Sequence, residues 1–109
     1  MKSHWASYRE EKVNAFIYED ENGFVSVVDS GDWFFVEDVY IVKEKRDKGI
    51  MKTYEKIIIE EGKKRGFKKL GGTVHLSFNN IEESLLVYLN IGWKVAYVND
   101  NAIDIEKEI

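Results

Sequence analysis

The sequence has no cysteine and no proline, and only two of its 109 residues are histidine. Without cysteine the chain can form no disulfide and offers a metal no thiolate, and His4 and His75 would need carboxylates to complete a zinc site. We therefore predict no bound metal. The absence of thiols fits a reducing compartment, and we expect the cytoplasm. Without proline, the turns must be marked by Gly, Asn and Asp.

The chain also has no long apolar run and no excess of positive charge. No stretch approaches the roughly 18 apolar residues of a membrane span, and residues 1–12 lack the apolar core of a signal peptide. The net charge of −4 argues against nucleic-acid binding, which requires a basic face. We predict neither a membrane nor a nucleic acid as partner.

What the sequence does contain is typical of a globular protein, with 44% apolar and 14% aromatic residues. We predict one domain over residues 1–109. The periodicity predicts a short helix and then the order β-β-β-α-β-α-β-β. The predicted helices cover residues 1–12, 50–64 and a segment from Asn79 or Asn80 to Gly92, and the predicted strands cover residues 13–18, 24–28, 33–42, 67–76, 93–98 and 102–105.

The longest predicted strand is apolar on both faces, which indicates a central strand of the sheet. Strict alternation places Phe35, Val39 and Ile41 with Glu37 on one face, and the opposite face then carries Phe34, Val36, Tyr40, Val42 and Asp38. The helix that follows has an apolar stripe made of Ile50, Tyr54, Ile57, Ile58 and Glu61. The pair Gly71-Gly72 predicts a bulge or a close backbone approach in the next strand.

The loop between this strand and this helix reads Arg46-Asp47-Lys48-Gly49. Its N–H groups lead into the first turn of a helix, where unpaired donors and the helix dipole favour an anion. A glycine at such a junction also serves plain turn geometry, so the loop alone leaves both interpretations open.

Several separate motifs, in order along residues 15–98, resemble the GCN5-related N-acetyltransferase (GNAT) family. Arg46-Asp47-Lys48-Gly49-Ile50-Met51 is similar to the family's acetyl-CoA signature of Arg or Gln, two residues, Gly, one residue, and Gly or Ala. The strand FVEDVYIV resembles that of the polyamine-acetyltransferase-like branch. Downstream, Asn80 and the run Tyr88-Leu89-Asn90-Ile91-Gly92-Trp93 resemble the family's closing Asn and Tyr-x-x-x-Gly-aromatic pattern.

The resemblance implies an α/β (α+β) fold with a central mixed, mostly antiparallel sheet, and acetyl-CoA as cosubstrate. It implies transfer of acetyl to a primary amine. The acidic side chains expected around the acceptor, Glu37 and Asp38 with Asp29 and Asp32, favour a cationic amine, either a polyamine-like molecule or a protein lysine. Glu37 would be the general base and Tyr88 the general acid. The implied cofactor contacts are Ile41, Val42, Arg46, Asp47, Lys48, Gly49, Ile50, Met51, Lys52, Thr53 and Asn80.

Other interpretations of these residues remain open. Glu37 could be a structural carboxylate paired with a lysine, Tyr88 a core residue, and His75 a structural histidine, while Asp38 would face away from Glu37. Asn79 could replace Asn80 in the motif.

Two departures from the family favour a different function, that of a noncatalytic binding module. Met51 occupies a position that the family gives to Gly or Ala, and about a dozen residues stand where the family has a strand and two helices. The acceptor pocket is therefore expected to be open on one side. We also predict a homodimer, because a sheet edge and several aromatic side chains would be exposed apolar surface. These side chains are Trp5, Tyr8, Trp33 and Trp93.

Overall fold

The computed structural model describes residues 3–75 and 81–109, with only the backbone for residues 75 and 81–84. Within these ranges the elements are α1 (His4–Val13), β1 (Phe16–Asp20), β2 (Gly23–Ser30), β3 (Trp33–Ile41), α2 (Ile50–Lys64), β4 (Lys69–His75), α3 (Ile81–Asn90), β5 (Lys94–Val98) and β6 (Ala102–Glu108). The predicted fold class and element order are confirmed.

The six strands form one sheet in the order β1-β2-β3-β4-β6-β5. β3 and β4 are parallel, with α2 as the crossover between them, and the other four strand pairs are antiparallel. The sheet is therefore mixed and mostly antiparallel, as predicted. β6 inserts between β4 and β5, which leaves β5 at one edge of the sheet.

The core occupies both faces of the sheet. Phe16 and Ile17 are adjacent in β1 and so point to opposite faces. Phe16 packs against the main core, and Ile17 joins Ala6 and Ala15 in a small cluster beneath α1. α2 covers the main core on the other face, whose fully buried side chains include Val25, Val27, Phe34, Tyr54, Ile58, Leu70 and Ile105.

The element boundaries differ from the prediction at both ends of the chain. α1 continues to Val13 and ends at Asn14, which adopts the left-handed conformation (φ 53°), so β1 begins at Phe16. β6 continues past Ile105 to Glu108 because Lys107 keeps the inward alternation and pairs with a buried carboxylate.

Strict alternation along β3 was a wrong prediction, because the strand contains a bulge. Val27 of β2 lies opposite Val36, but the next residue, Ser26, lies opposite Asp38, so Glu37 has no counterpart. The extra residue reverses the alternation. Val36 before it and Val39 after it consequently join the same core.

The buried stripe of α2 is also rotated from its predicted position. The buried residues are Met51, Tyr54, Glu55, Ile58 and Gly62, whereas Ile50, Ile57 and Glu61 are only partly buried. Gly62 lets the helix lie close to the sheet, since a Cβ atom there would lie 2.9 Å from Ile109 and 3.2 Å from Phe34.

The glycine pair in β4 allows a neighbouring side chain to lie close to the strand. A Cβ atom on Gly71 would lie 2.1 Å from the Trp33 ring, so the ring occupies the space that a side chain would need. The register of β4 with both neighbours is regular, which corrects the alternative prediction of a bulge at this pair.

Candidate functional site

The two parallel strands pair along only part of their length, and we call the gap beyond their last pair the cleft. β3 and β4 pair at four positions, from Trp33 opposite Lys69 to Val36 opposite Gly72. The remainder of β4 pairs with β6, and within the described residues β3 has no partner on that side beyond Val36. Unpaired strand edges present N–H and C=O groups that a ligand can bind. The bulge at Glu37 lies where the two strands stop pairing.

The loop at the end of β3 contains the residues that were predicted to bind an anion. A single 3-10 turn (Lys43–Lys45) leads to Arg46, whose Nε donates to the carbonyl of Ile41 (2.9 Å). The same guanidinium lies 5.9 Å from the ring centroid of Tyr40. Arg46 is thus held against the end of β3, beside the cleft.

The backbone then turns sharply into α2. Asp47 and Gly49 both have positive φ angles (61° and 80°), and Gly49 is the N-cap. The first α2 bond to the N-cap runs from Thr53 N–H to Gly49 O (3.3 Å), and the Thr53 hydroxyl donates to the same oxygen (3.4 Å). The N–H groups of residues 47–52 precede this bond, and within the described chain no protein atom accepts from them.

The charge around these donors suits an anion. Residues 43–52 contain five basic and two acidic side chains, a local charge of +3 in a chain of net charge −4. Lys48 and Lys52 are exposed beside the helix N-terminus, whose dipole adds to their attraction for phosphate.

The fold of the chain is similar to that of solved acetyltransferase structures. The IAA acetyltransferase from Bacillus cereus ATCC 14579 matches with a TM-score of 0.76 and 14% identity over 98% of this chain and 85% of its own. The PaiA N-acetyltransferase from Thermoplasma acidophilum, solved with coenzyme A, matches with a TM-score of 0.74 and 22% identity, over 94% of this chain and 66% of its own. A GNAT family acetyltransferase from Elizabethkingia anophelis with acetyl-CoA bound matches with a TM-score of 0.74 and 14% identity, over 98% of this chain and 84% of its own.

The chain has the GNAT fold. The predicted resemblance is thus confirmed at the level of fold. No family model matches the sequence, and no curated protein matches it. The chain spans 57% of the length of a further similar structure, nourseothricin acetyltransferase, and 66% of the PaiA protein.

Within this GNAT fold, the signature residue Met51 is 7% exposed. Its side chain is therefore buried and leaves the solvent-facing side of the helix N-terminus clear. The bulk that distinguishes Met51 from Gly or Ala in the motif lies inside the protein.

The backbone N–H and carbonyl of Val42 are both hydrogen-bonded within the protein. Its N–H donates to the carbonyl of Asn22 (2.8 Å) and its own carbonyl accepts from Lys45 N–H (2.9 Å). Both Ile41 and Val42 are half-buried. The strand edge that faces the cleft is accordingly the segment between the bulge and Ile41.

Glu37 has an environment different from the one expected. We expected a partly buried carboxylate on an apolar face, but Glu37 is exposed, and its Oε1 forms an ion pair with Nη2 of Arg9 on α1. The possibility of a structural ion pair is therefore realised, with an arginine in place of a lysine. α1 also covers part of the face that was expected to be open.

Asp38 belongs to the same cluster. Burial raises the pKa of the Asp38 carboxyl, the charge of Glu37 raises it further, and Arg9 partly opposes both. The predicted separation of Asp38 from Glu37 is wrong because the bulge brings the two carboxylates into one electrostatic neighbourhood. In contrast, Asp29 and Asp32 lie at the opposite end of β3, so they add nothing to the acidic surroundings of Glu37.

Tyr88 is a partly buried residue of α3. Its ring packs edge-on against Trp93, with 5.3 Å between the centroids. Burial raises the pKa of Tyr88 to about 12. The phenol is thus protonated at neutral pH but is a weaker acid than an exposed tyrosine. Leu85 of the same helix also packs against the core, whereas Leu89 is 38% exposed.

Some predicted positions lie outside the described structure. Asn79 and Asn80 fall in the range 76–80, and the side chain of His75 is likewise not described. Among the described residues, no three His, Asp or Glu side chains come together as a metal ion would require. No helix in the described ranges is long and apolar enough to cross a membrane.

The residue that sequence analysis missed is Arg9. It lies in a polar helix, 28 positions before Glu37, and nothing local in the sequence connects the two. The run Glu37-Asp38 between apolar residues was the available signal for the bulge, because two adjacent charges on a central strand cannot both face solvent without a break in the pleat.

Proposed function

We propose that this protein transfers the acetyl group of acetyl-CoA to a primary amine. The observation that carries the proposal is the row of unpaired N–H groups at residues 47–52, which connects the open edge of β3 to the start of α2 in a GNAT fold. Supporting it, similar structures were solved with coenzyme A or acetyl-CoA bound.

In this proposal the pyrophosphate binds the N–H row, and Arg46 and Lys48 supply charge. Gly49, Ile50, Met51, Lys52 and Thr53 form the helix start that faces the phosphates. The pantetheine arm extends along the open edge of β3 and pairs with its backbone near Ile41. Val42 contributes through side-chain contact, because its backbone N–H is already bonded. Asn80 remains a proposed contact from sequence similarity.

The chemistry begins with removal of a proton from the acceptor ammonium, whose unperturbed pKa is near 10.4. Glu37 takes this proton, either directly or through a water. The amine nitrogen then attacks the thioester carbonyl, and a backbone N–H on the open edge of β3 stabilises the oxyanion. The C–S bond breaks, and Tyr88 donates its proton to the departing thiolate.

Binding of the cosubstrate is tested by thermal unfolding with and without acetyl-CoA. At a hundred times its dissociation constant, the ligand should stabilise the fold by roughly 2.7 kcal/mol. Coenzyme A should give a similar shift, and ATP at the same concentration is the control for general phosphate binding. No shift at millimolar acetyl-CoA would overturn the proposed function.

The catalytic roles are tested with Glu37→Gln and Tyr88→Phe. Each variant should lower kcat by about 10² to 10⁴, the usual contribution of a positioned acid or base, with unchanged acetyl-CoA affinity. If Glu37→Gln retains full activity across pH, a water chain removes the proton. If Tyr88→Phe does so, Tyr88 is solely a packing residue.

A second candidate function is noncatalytic binding of an acyl-CoA and a partner protein. It is favoured by the ion pair that engages Glu37 and by the raised pKa of Tyr88, since each reduces the readiness of the proposed catalytic group. Stabilisation by acetyl-CoA without amine acetylation, over a panel of amines and lysine peptides, would select this alternative.

We also propose a homodimer that forms through β5. β5 is an edge strand whose five residues are all exposed, and its sequence KVAYV contains a single charge. Antiparallel pairing of two copies centred on Tyr97 would join the exposed edges of the two β5 strands and cover Val95, Tyr97 and Val98 of each copy. Trp93 is buried and Trp33 packs on Gly71, so neither tryptophan provides the surface first expected.

Sedimentation at micromolar concentration tests this assembly. Tyr97→Lys places two like charges opposite each other at the twofold axis and should yield monomer, whereas Tyr8→Lys on exposed α1 should not. Monomeric wild-type protein would contradict the proposal.

The absence of thiols continues to favour the cytoplasm as the site of action.

A further inference from the structure

Arg9 reaches from α1 to the bulge in β3. Its Nη2 contacts Oε1 of Glu37, and in the described part of the chain no protein atom bonds to Oε2. The Arg9 side chain is 22% exposed and that of Glu37 is 36% exposed, so the pair is partly shielded from solvent. One carboxylate oxygen is therefore fixed by the guanidinium and the other is left for a substrate.

Further polar groups line the same place beneath α1. Ser26 is fully buried and lies opposite Asp38, and its hydroxyl has no hydrogen-bond partner in the described structure. The same holds for Nε of Arg9, which is also buried. Buried donors without partners are uncommon, and a bound water or substrate atom would satisfy them. Glu10, the neighbour of Arg9 on α1, has an interaction of its own.

The charge at this end of β3 is consequently smaller than the sequence suggests. Four carboxylates were expected to attract the acceptor, but Asp29 and Asp32 lie at the far end of the strand. Glu37 and Asp38 remain, and Arg9 offsets one of them. An amine with a single positive charge balances the remaining carboxylate, whereas a second ammonium group would meet the guanidinium.

We propose that Arg9 is a positioning and specificity-determining residue: it holds the Glu37 carboxylate on the bulge and restricts the acceptor to amines that carry one positive charge. The inference rests on the proposed acetyl transfer and narrows its acceptor from polyamines to monocationic amines, such as a lysine side chain. The physical basis is repulsion between like charges a few ångströms apart, which disfavours a dication by about tenfold in a partly shielded site.

The experiment compares an n-alkyl monoamine with the α,ω-diamine of the same length. The wild-type protein should favour the monoamine by about tenfold in kcat/KM. Arg9→Met keeps much of the aliphatic stem but removes the charge, so the diamine's KM should fall and the preference should disappear. Loss of the fixed Glu37 should also lower kcat for both amines. Arg9→Lys should restore the preference and only part of kcat, because lysine lacks the planar fork.

Lys12→Met is the matched control, since it removes the same charge from an exposed position of the same helix. If Lys12→Met shifts the amine preference as much as Arg9→Met, or if Arg9→Met leaves it unchanged, the proposal is wrong. Calorimetry of both amines with coenzyme A-loaded protein provides a readout that does not depend on turnover. If no amine is acetylated but the binding preference depends on Arg9, the proposed function is wrong and the specificity role of Arg9 stands. If amines are acetylated but the preference does not depend on Arg9, the proposed function stands and the specificity role is wrong.

Discussion

Lys107 of β6 donates to the buried carboxylate of Glu55 on α2 across 2.6 Å. The other oxygen of Glu55 accepts from Nε1 of Trp93 (2.7 Å), and Lys107 also donates to the carbonyl of Ile91 (2.6 Å). This network joins α2 and β6 to the segment after α3. A buried carboxylate is stable only when it is paired and hydrogen-bonded in this way.

Loss of Lys107 should therefore be costly. Lys107→Met leaves the Glu55 carboxylate buried and uncompensated, and we expect a loss of about 3–5 kcal/mol in the free energy of unfolding, measured by urea denaturation. Lys69→Met is the control, because Lys69 pairs with Glu106 at 3.5 Å on the surface, and should cost at most about 1 kcal/mol. Equal losses would contradict the importance of burial.

The loop glycines provide a matched test of cosubstrate binding. Gly49 and Gly66 both adopt positive φ (80° and 88°) with open space around the missing Cβ, so Gly49→Val and Gly66→Val should each destabilise the fold by about 2 kcal/mol. Only Gly49→Val should weaken acetyl-CoA binding, by tenfold or more in calorimetry. Equal affinity in both variants would remove the phosphates from this loop.

The raised pKa of Asp38 predicts a specific pH dependence of stability. Because folding raises this pKa above its ordinary value of 3.8, the folded protein binds the proton more tightly, and stability falls as pH rises through the interval between the two values. Asp38→Asn should therefore be the more stable protein at pH 7, by less than about 1 kcal/mol because the carboxyl is exposed.

The two proteins should converge below the ordinary pKa of Asp38, where the carboxyl is protonated in both states. In a Glu37→Gln background the difference should shrink, since part of the shift comes from the charge of Glu37. Urea denaturation from pH 3 to pH 8 measures both effects. A wild-type protein that is more stable than Asp38→Asn at pH 7 would reverse the sign and refute the argument.

The adjacent glycines of β4 should respond differently to alanine. A Cβ on Gly71 overlaps the Trp33 ring at 2.1 Å, whereas on Gly72 the nearest atom, in Ile105, is 3.7 Å away. Gly71→Ala should lose about 1–3 kcal/mol and change tryptophan fluorescence, while Gly72→Ala should stay within about 1 kcal/mol. Restoration of stability by Trp33→Leu in the Gly71→Ala protein would confirm the overlap as the cause.

The sequence predicted the helices and the sheet class because α2 has a clear 3.6-residue period and Gly or Asn marks most turns. The apolar pattern, however, could not predict the bulge, for which the adjacent charges of Glu37 and Asp38 were the available signal. Phe34, Phe35 and Val36 fill either face equally well, so the reversal at Glu37 leaves no trace in the apolar pattern. The rotated stripe of α2 has a similar cause, because Glu55 is buried through partners 38 and 52 residues away.

The candidate site divides in the same way. The loop at Arg46 and Gly49 is local, and its chain geometry follows from a glycine at a strand-to-helix junction. The surroundings of Glu37 depend on Arg9 and on the bulge, and both are consequences of tertiary packing. The residue types therefore allow a prediction of the acetyl-CoA site from the sequence alone. They do not allow a prediction of which amine is accepted.

The early end of the β3–β4 ladder has a consequence for the free protein. The amide protons of residues 37–41 that point toward β4 have no strand partner there in the described structure, so they should exchange with deuterium faster than those of the paired segment 33–36. A ligand that extends along this edge would complete the missing rungs. The same amides should then become protected, and the cosubstrate would serve as a seventh strand of the sheet.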